Sequence, residues 1–207
     1  MRTRIKICGF TQVDEAVVAA RLGVDAIGLV FYPPSPRHVS IEQAVNIVNA
    51  LPAFVTVVAL FVDEQEVQIR EVLSKVAIDC IQFHGDESAT ECRIYNKPYM
   101  KAVRMKPDLD ILAIATQYND ATALLLDAYH PGIKGGSGSQ FDWDLIPENC
   151  SLPVVLAGGL QVDNVRLAVE SVRPYAVDVS SGVEAEKGVK DVAKMAAFIQ
   201  AINESDR

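Results

Sequence analysis

No apolar run in the sequence approaches the roughly 20 residues that cross a bilayer, and its N-terminal stretch has neither a long apolar core nor a cleavage site. A membrane anchor and a secretory signal are therefore not expected. Cysteine is scarce: Cys8, Cys80, Cys92 and Cys150 are the only four in 207 residues, and no two form a C-x-x-C pair. That is too few for a disulfide framework, so reduced thiols in a cytoplasmic protein are expected. No His/Cys/Asp cluster has metal-ligand spacing and no nucleotide-binding motif appears, so neither a metal nor a cofactor is expected. Basic residues are outnumbered, 19 Lys and Arg against 27 Asp and Glu, for a net charge of −8. This balance argues against non-specific nucleic-acid binding. It does not exclude a small anionic partner, because one site can be locally positive.

What remains is an ordinary globular composition, 50% apolar and 22% charged, with length for one sizeable domain or two small ones. Strand-like runs occur at Arg4–Cys8, 26–31, 54–62, 78–84, Tyr99–Met105, Ala123–Ala128, 153–157 and 176–180. Several are almost continuously apolar, which suits strands covered on both faces in a parallel sheet. Helical patterns lie between them. Thr11 precedes the first, which closes on Gly23; Ser40 opens the second with Gln43 as capping-box partner. Asp63, Asp86, Asp108, Asp142, Asp163 and Asp191 stand near the starts of the others. Eight alternating strand–helix units predict a single closed (β/α)8 TIM barrel over residues 1–207, built on parallel strands. The rival is an open doubly wound sheet, whose G-x-G-x-x-G after the first strand is replaced here by Cys8-Gly9-Phe10-Thr11. The sequence does not settle an oligomeric state, and a monomer is the default expectation.

In such a barrel the chemistry sits at the C-terminal strand ends. Alternation along a strand puts Lys6 and Cys8 on the inward side of the first, and Leu125 and Asp127 on the inward side of the sixth. Strands 1 and 6 are not neighbours, so Cys8 and Asp127 are expected to face each other across the mouth. An ammonium beside a thiol lowers its pKa, so Lys6 is expected to favour a Cys8 thiolate. The alternative is that Cys8 merely packs while Lys6 pairs with an acid lower in the barrel. Asp127 follows an apolar run; desolvation there raises a carboxyl pKa and suits a general acid. No helix starts behind it to need a cap.

The loops complete the picture. Gly135, Gly136, Ser137 and Gly138, in the long segment after Asp127, read as a lid or an anion-contacting loop, or else as a plain surface loop. Gly158 and Gly159 end strand 7, and Ser180, Ser181 and Gly182 end strand 8. Loops in those two places form the usual phosphate site of this barrel. Arg37, on a loop stiffened by three prolines, suits bidentate capture of a carboxylate. Gln82 and His84 end strand 4 on the inward parity, where His84 is a candidate for orienting substrate, as is the inward Asp178.

Taken in order, KICGFT, PPSPRHVS, LFVDE, IQFHGDE, LLLDA with GGSGSQFDW, VLAGGL and DVSSGVE span the chain and resemble phosphoribosylanthranilate isomerase, a family of tryptophan biosynthesis. The resemblance implies a cofactor-free Amadori rearrangement of N-(5-phospho-β-D-ribosyl)anthranilate to 1-(2-carboxyphenylamino)-1-deoxyribulose 5-phosphate. Asp127 would then be the general acid, Cys8 the general base, and Arg37 the partner of the benzoate carboxylate. Two rivals stand beside it. A sister isomerase of the histidine pathway is one, although those relatives use paired aspartates at strands 1 and 5. A barrel that binds a phospholigand without turnover is the other.

Overall fold

The computed structural model describes residues 2–128 and 141–205. Eight strands, β1 (Arg4–Cys8), β2 (Ala26–Val30), β3 (Thr56–Phe61), β4 (Cys80–Phe83), β5 (Tyr99–Met105), β6 (Ala123–Ala128), β7 (Val154–Leu156) and β8 (Ala176–Val179), pair in sequence order. All pairs are parallel, and β8 closes on β1 with Ile5 opposite Val177, so the sheet is a closed barrel rather than an open one. The helices α1 (Val13–Leu22), α2 (Ile41–Ala50), α3 (Glu66–Lys75), α4 (Ala89–Arg93), α5 (Ile111–Gln117), α6 (Val165–Val172) and α7 (Val192–Ser205) return the chain between strands. Among the described residues no helix is long and apolar enough to cross a membrane, and no group of His, Cys, Asp and Glu is arranged to hold a metal ion.

Side-chain alternation sorts the apolar residues into two layers. Ile5 and Ile7 pack outward against the helices, and Leu124 and Leu126 meet Ile111 and Ala115 of α5. Val58, Met100, Ala102, Ala123, Leu125, Val155 and Ala176 fill the barrel interior below the mouth. The parity read from β1 and β6 therefore holds, and it delivers Cys8 and Asp127 to the open end.

Helix starts follow local capping chemistry, with corrections. Ser40 and Gln43 form the reciprocal capping box, and Gly23 closes α1 in the left-handed conformation (φ 97°). Asp63 and Asp86 do not cap helices. Asp63 has φ 50° and donates its backbone N–H to Glu87, while Asp86 N–H goes to Asp63 Oδ1. Ser88, with Glu91 as its box partner, caps α4, and Asp110 rather than Asp108 caps α5. Among the described residues, the sixth unit has only a 3-10 turn, Trp143–Leu145, behind Asp142. After β8 come a second 3-10 turn (Ser181–Val183) and a small antiparallel hairpin, β9 (Glu184–Glu186) and β10 (Val189–Lys190). Nothing in the sequence pattern announced that hairpin, because two- and three-residue strands carry no periodicity.

Candidate active site

The C-terminal mouth of the barrel opens into a cleft lined by Cys8, Arg37, Gln82, His84, Asp127, Gly158, Gly159, Asp178, Ser180 and Ser181, among others. With Leu60 and Val62 of the third unit, residues from seven strands or the loops behind them thus converge, as the barrel topology requires.

Cys8 ends β1 almost fully buried. Gly28, its partner across the β1–β2 pair, leaves room for it: a Cβ there would lie 2.6 Å from Cys8 Sγ. Lys6, one turn of alternation below, forms a buried ion pair with Asp178, Nζ to Oδ1 2.9 Å. The expectation that Lys6 brings the thiol down is corrected here. Burial pushes the Cys8 pKa above its ordinary value; Lys6 and Lys190 pull the other way and do not prevail, and Asp178 adds to the rise. The ammonium is shared with Asp178, so its field at the sulfur is partly cancelled. A buried thiol that ionises reluctantly gives, once ionised, a stronger base.

On the opposite side, Asp127, the penultimate residue of β6, is equally buried. Its Oδ1 accepts the backbone N–H of Ala128 at 2.9 Å, and its Oδ2 is 3.1 Å from His84 Nε2. His84 Nδ1 in turn is 2.9 Å from Gln82 Nε2. With the Gln82 amide donating to Nδ1, the imidazole proton sits on Nε2 and is donated to Asp127. His84 therefore touches the acid rather than standing apart from it. Gly158 (φ 80°) makes this corner possible: a Cβ there would come 2.3 Å from Ala128 N and 3.0 Å from Asp127 Oδ1.

Of the residues read as a phosphate site, Gly158, Gly159, Ser180 and Ser181 line the cleft. Gly182 lies behind it, against the Leu160 carbonyl, which a Cβ would approach to 2.0 Å. Ser180 Oγ is turned to the Cys8 carbonyl at 3.0 Å, tying the β8 loop to the end of β1. The four residues read as a lid, Gly135, Gly136, Ser137 and Gly138, lie outside the described residues.

Arg37 lines the cleft, but its fork is already engaged. Nε donates to Glu184 Oε1 at 2.7 Å and Nη2 to Oε2 at 2.8 Å. Lys190 Nζ, with no exposed side-chain surface, reaches the same Oε1 at 2.9 Å. Burial works to raise the Glu184 pKa, yet these two cations hold it below the ordinary carboxylate value. The sequence reading missed Glu184 and Lys190 as parts of the site. Their partner Arg37 is 147 residues from Glu184; Glu184 closes the DVSSGVE motif, which says nothing of its partner, and Lys190 lies in no motif.

Fold and cleft together define a class, a (β/α)8-barrel enzyme that gathers carboxyl, thiol, imidazole and cationic side chains at the C-terminal strand ends. The particular family emerges on comparison with known proteins. Residues 5–201 match the family model described as N-(5'phosphoribosyl)anthranilate (PRA) isomerase. The N-(5'-phosphoribosyl)anthranilate isomerase of Nitrosococcus oceani is 56% identical over 203 residues, 98% of each chain. The crystal structure of phosphoribosyl anthranilate isomerase from Thermotoga maritima is 40% identical with a TM-score of 0.89, covering 98% of this chain and 99% of that one. A solved isomerase in complex with reduced 1-(o-carboxyphenylamino)-1-deoxyribulose 5-phosphate is 39% identical, TM-score 0.86, with the same coverage. The chain belongs to the N-(5'-phosphoribosyl)anthranilate isomerase family.

Proposed function

We propose that this chain isomerises N-(5-phospho-β-D-ribosyl)anthranilate to 1-(2-carboxyphenylamino)-1-deoxyribulose 5-phosphate in cytoplasmic tryptophan biosynthesis, with Asp127 as general acid and Cys8 as general base. The observation that carries the assignment is the placement of these two groups on β1 and β6, lining one cleft from strands that do not neighbour each other. The reaction needs no redox partner, because one carbon is oxidised as its neighbour is reduced.

Protonated Asp127 gives its proton to the furanose ring oxygen. The C1′–O bond breaks, and the nitrogen lone pair forms a protonated imine at C1′. The resulting carboxylate keeps two donors, the His84 Nε2–H and the Ala128 N–H, and so is stabilised as the charge forms. The Cys8 thiolate then removes the C2′ proton, and the electron pair runs into the imine to give an enolamine. Tautomerisation moves a proton to C1′ and leaves a ketone at C2′. Cationic imine character next to the sulfur favours the thiolate when it is needed. Each proton transfer is worth roughly 10²–10⁴ in rate.

The loop N–H groups at Gly158, Gly159, Ser180 and Ser181 suit the 5′-phosphate. Gly182 serves that loop by its packing against Leu160. Arg37 presents its remaining donors to the benzoate carboxylate, since among the described residues Nη1 has no hydrogen-bond partner. Asp178, paired with Lys6, holds the floor beneath the sugar.

The test is a fluorescence time course on freshly generated phosphoribosylanthranilate, with Cys8→Ser and Asp127→Asn beside the wild type. An enzyme-dependent fall in substrate fluorescence, lost in both variants, supports the reading. A folded wild type without turnover refutes it in favour of a sister sugar-phosphate isomerase or a binding barrel.

A further inference from the structure

The hairpin behind the site contains an arrangement that substrate chemistry alone does not explain. A guanidinium already locked in a two-pronged pair with a carboxylate is electrically neutral as a unit, and it would hold a second carboxylate poorly. Here a third charge completes the unit. Lys190 Nζ contacts Glu184 Oε1 at 2.9 Å and the Ser180 carbonyl at 3.1 Å, and its side chain is wholly shielded from solvent. The surroundings balance as well. Glu15 of α1 accepts the Lys190 backbone N–H at 3.0 Å, and Lys194 of α7 donates to the Glu184 carbonyl at 2.7 Å. Arg37 and Lys190 are two cations on the one Glu184 carboxylate, so the contacting unit carries one net positive charge at the edge of the cleft. The stem of Arg37 rests on Gly9, where a Cβ would come 2.5 Å from Arg37 Cδ, so the guanidinium is set from both ends.

We infer that Glu184 and Lys190 form a charge-balanced clamp in which Glu184 fixes the Arg37 guanidinium and Lys190 cancels the Glu184 charge, making both positioning residues for the aromatic carboxylate of the substrate. This rests on the assignment of Arg37 to that carboxylate. Burying a lysine is costly unless it is paired and fully hydrogen-bonded, and a clamp gives this one a role that packing does not. The hairpin β9–β10 exists, on this view, to bring Lys190 under Arg37.

The experiment is a fluorescence titration with reduced 1-(o-carboxyphenylamino)-1-deoxyribulose 5-phosphate, which carries both anionic ends and does not turn over, so the catalytic base does not enter. Lys190→Met should weaken binding about tenfold, the size expected on losing one unit charge several ångströms away in a part-buried site. Lys190→Arg should bind within about twofold of wild type. Lys190 Nζ also holds the Ser180 carbonyl, so Kd for inorganic phosphate is the control: a loss there as large as the loss for the analogue would mean a loosened phosphate loop and would overturn the clamp. In an Arg37→Ala background, Lys190→Met should have little further effect, since the two act through one contact. Lys190→Gln carries the test if the methionine variant does not fold. Wild-type affinity in the neutral variant, or losses that multiply in the double variant, would overturn the clamp while leaving Arg37 in its role. Wild-type affinity in Arg37→Ala would overturn the Arg37 assignment and the clamp with it.

Discussion

The base assignment makes a demanding prediction about Cys8. Burial lifts its pKa above the ordinary thiol value of about 8.5. At pH 7 the thiolate is therefore the minor form in the free protein. Below the pKa the thiolate fraction climbs with pH, so alkylation of Cys8 by iodoacetamide should still be accelerating steeply between about pH 6.5 and 8.5. The assay follows the Cys8 peptide by mass spectrometry. Cys80, held up at about 11, and Cys92, at about 12, provide slower internal references in the same digest. The double variant Lys6→Met, Asp178→Asn removes the ammonium and its partner together, and so reads the net effect of the pair on the thiol, Lys6 lowering its pKa and Asp178 raising it. A rate independent of pH across that window would mean that the thiolate is already formed, so that Lys6 and Lys190 outweigh burial after all. In turnover, Cys8→Ser should lose about 10²–10⁴ in kcat, because a serine hydroxyl is far too weak a base. Near-wild-type turnover by that variant would end the assignment.

Arg37→Ala should raise KM about tenfold or more while kcat changes by only a few-fold, since the contact is made equally in ground and transition states; a loss confined to kcat would contradict it. Gly158→Ala should strain a φ of 80° and drive a methyl toward Ala128 N and Asp127 Oδ1. Roughly 1–2 kcal/mol of backbone strain alone lowers Tm by about 2–8 °C at this size, and steady-state kcat should fall further than that stability loss explains. Lys101→Met would leave Glu87 buried and uncompensated, since Lys101 Nζ meets Glu87 Oε2 at 2.8 Å with both side chains shielded. Urea unfolding should show a loss of about 3–5 kcal/mol, largely recovered when Glu87→Gln is added; equal stability of the single variant would refute the pair's importance.

Much of this protein was legible along the chain. Strand–helix alternation specifies a parallel barrel, and a period of two puts Lys6, Cys8, Leu125 and Asp127 on the inward side before any coordinates are known. Caps made within three or four residues, at Ser40, Asp142 and Gly23, were equally local. The sequence reading places the starts of the fourth and fifth helices at Asp86 and Asp108, whereas the caps are Ser88 and Asp110, two residues further on. Asp86 proved to be engaged with Asp63, an element away. What the sequence could not contain was the set of long-range pairs: Lys6 with Asp178, 172 residues apart; Arg37 with Glu184, 147 apart; His84 with Asp127, 43 apart. Those pairs decide the electrostatics. Lys6 near Cys8 in sequence implied a lowered thiol pKa, and closure of β8 on β1 reversed the sign by supplying Asp178 and excluding water. Position along a strand is a local property, written by periodicity. Charge balance and burial are sums over every neighbour that barrel closure brings together, and only the tertiary structure performs that sum.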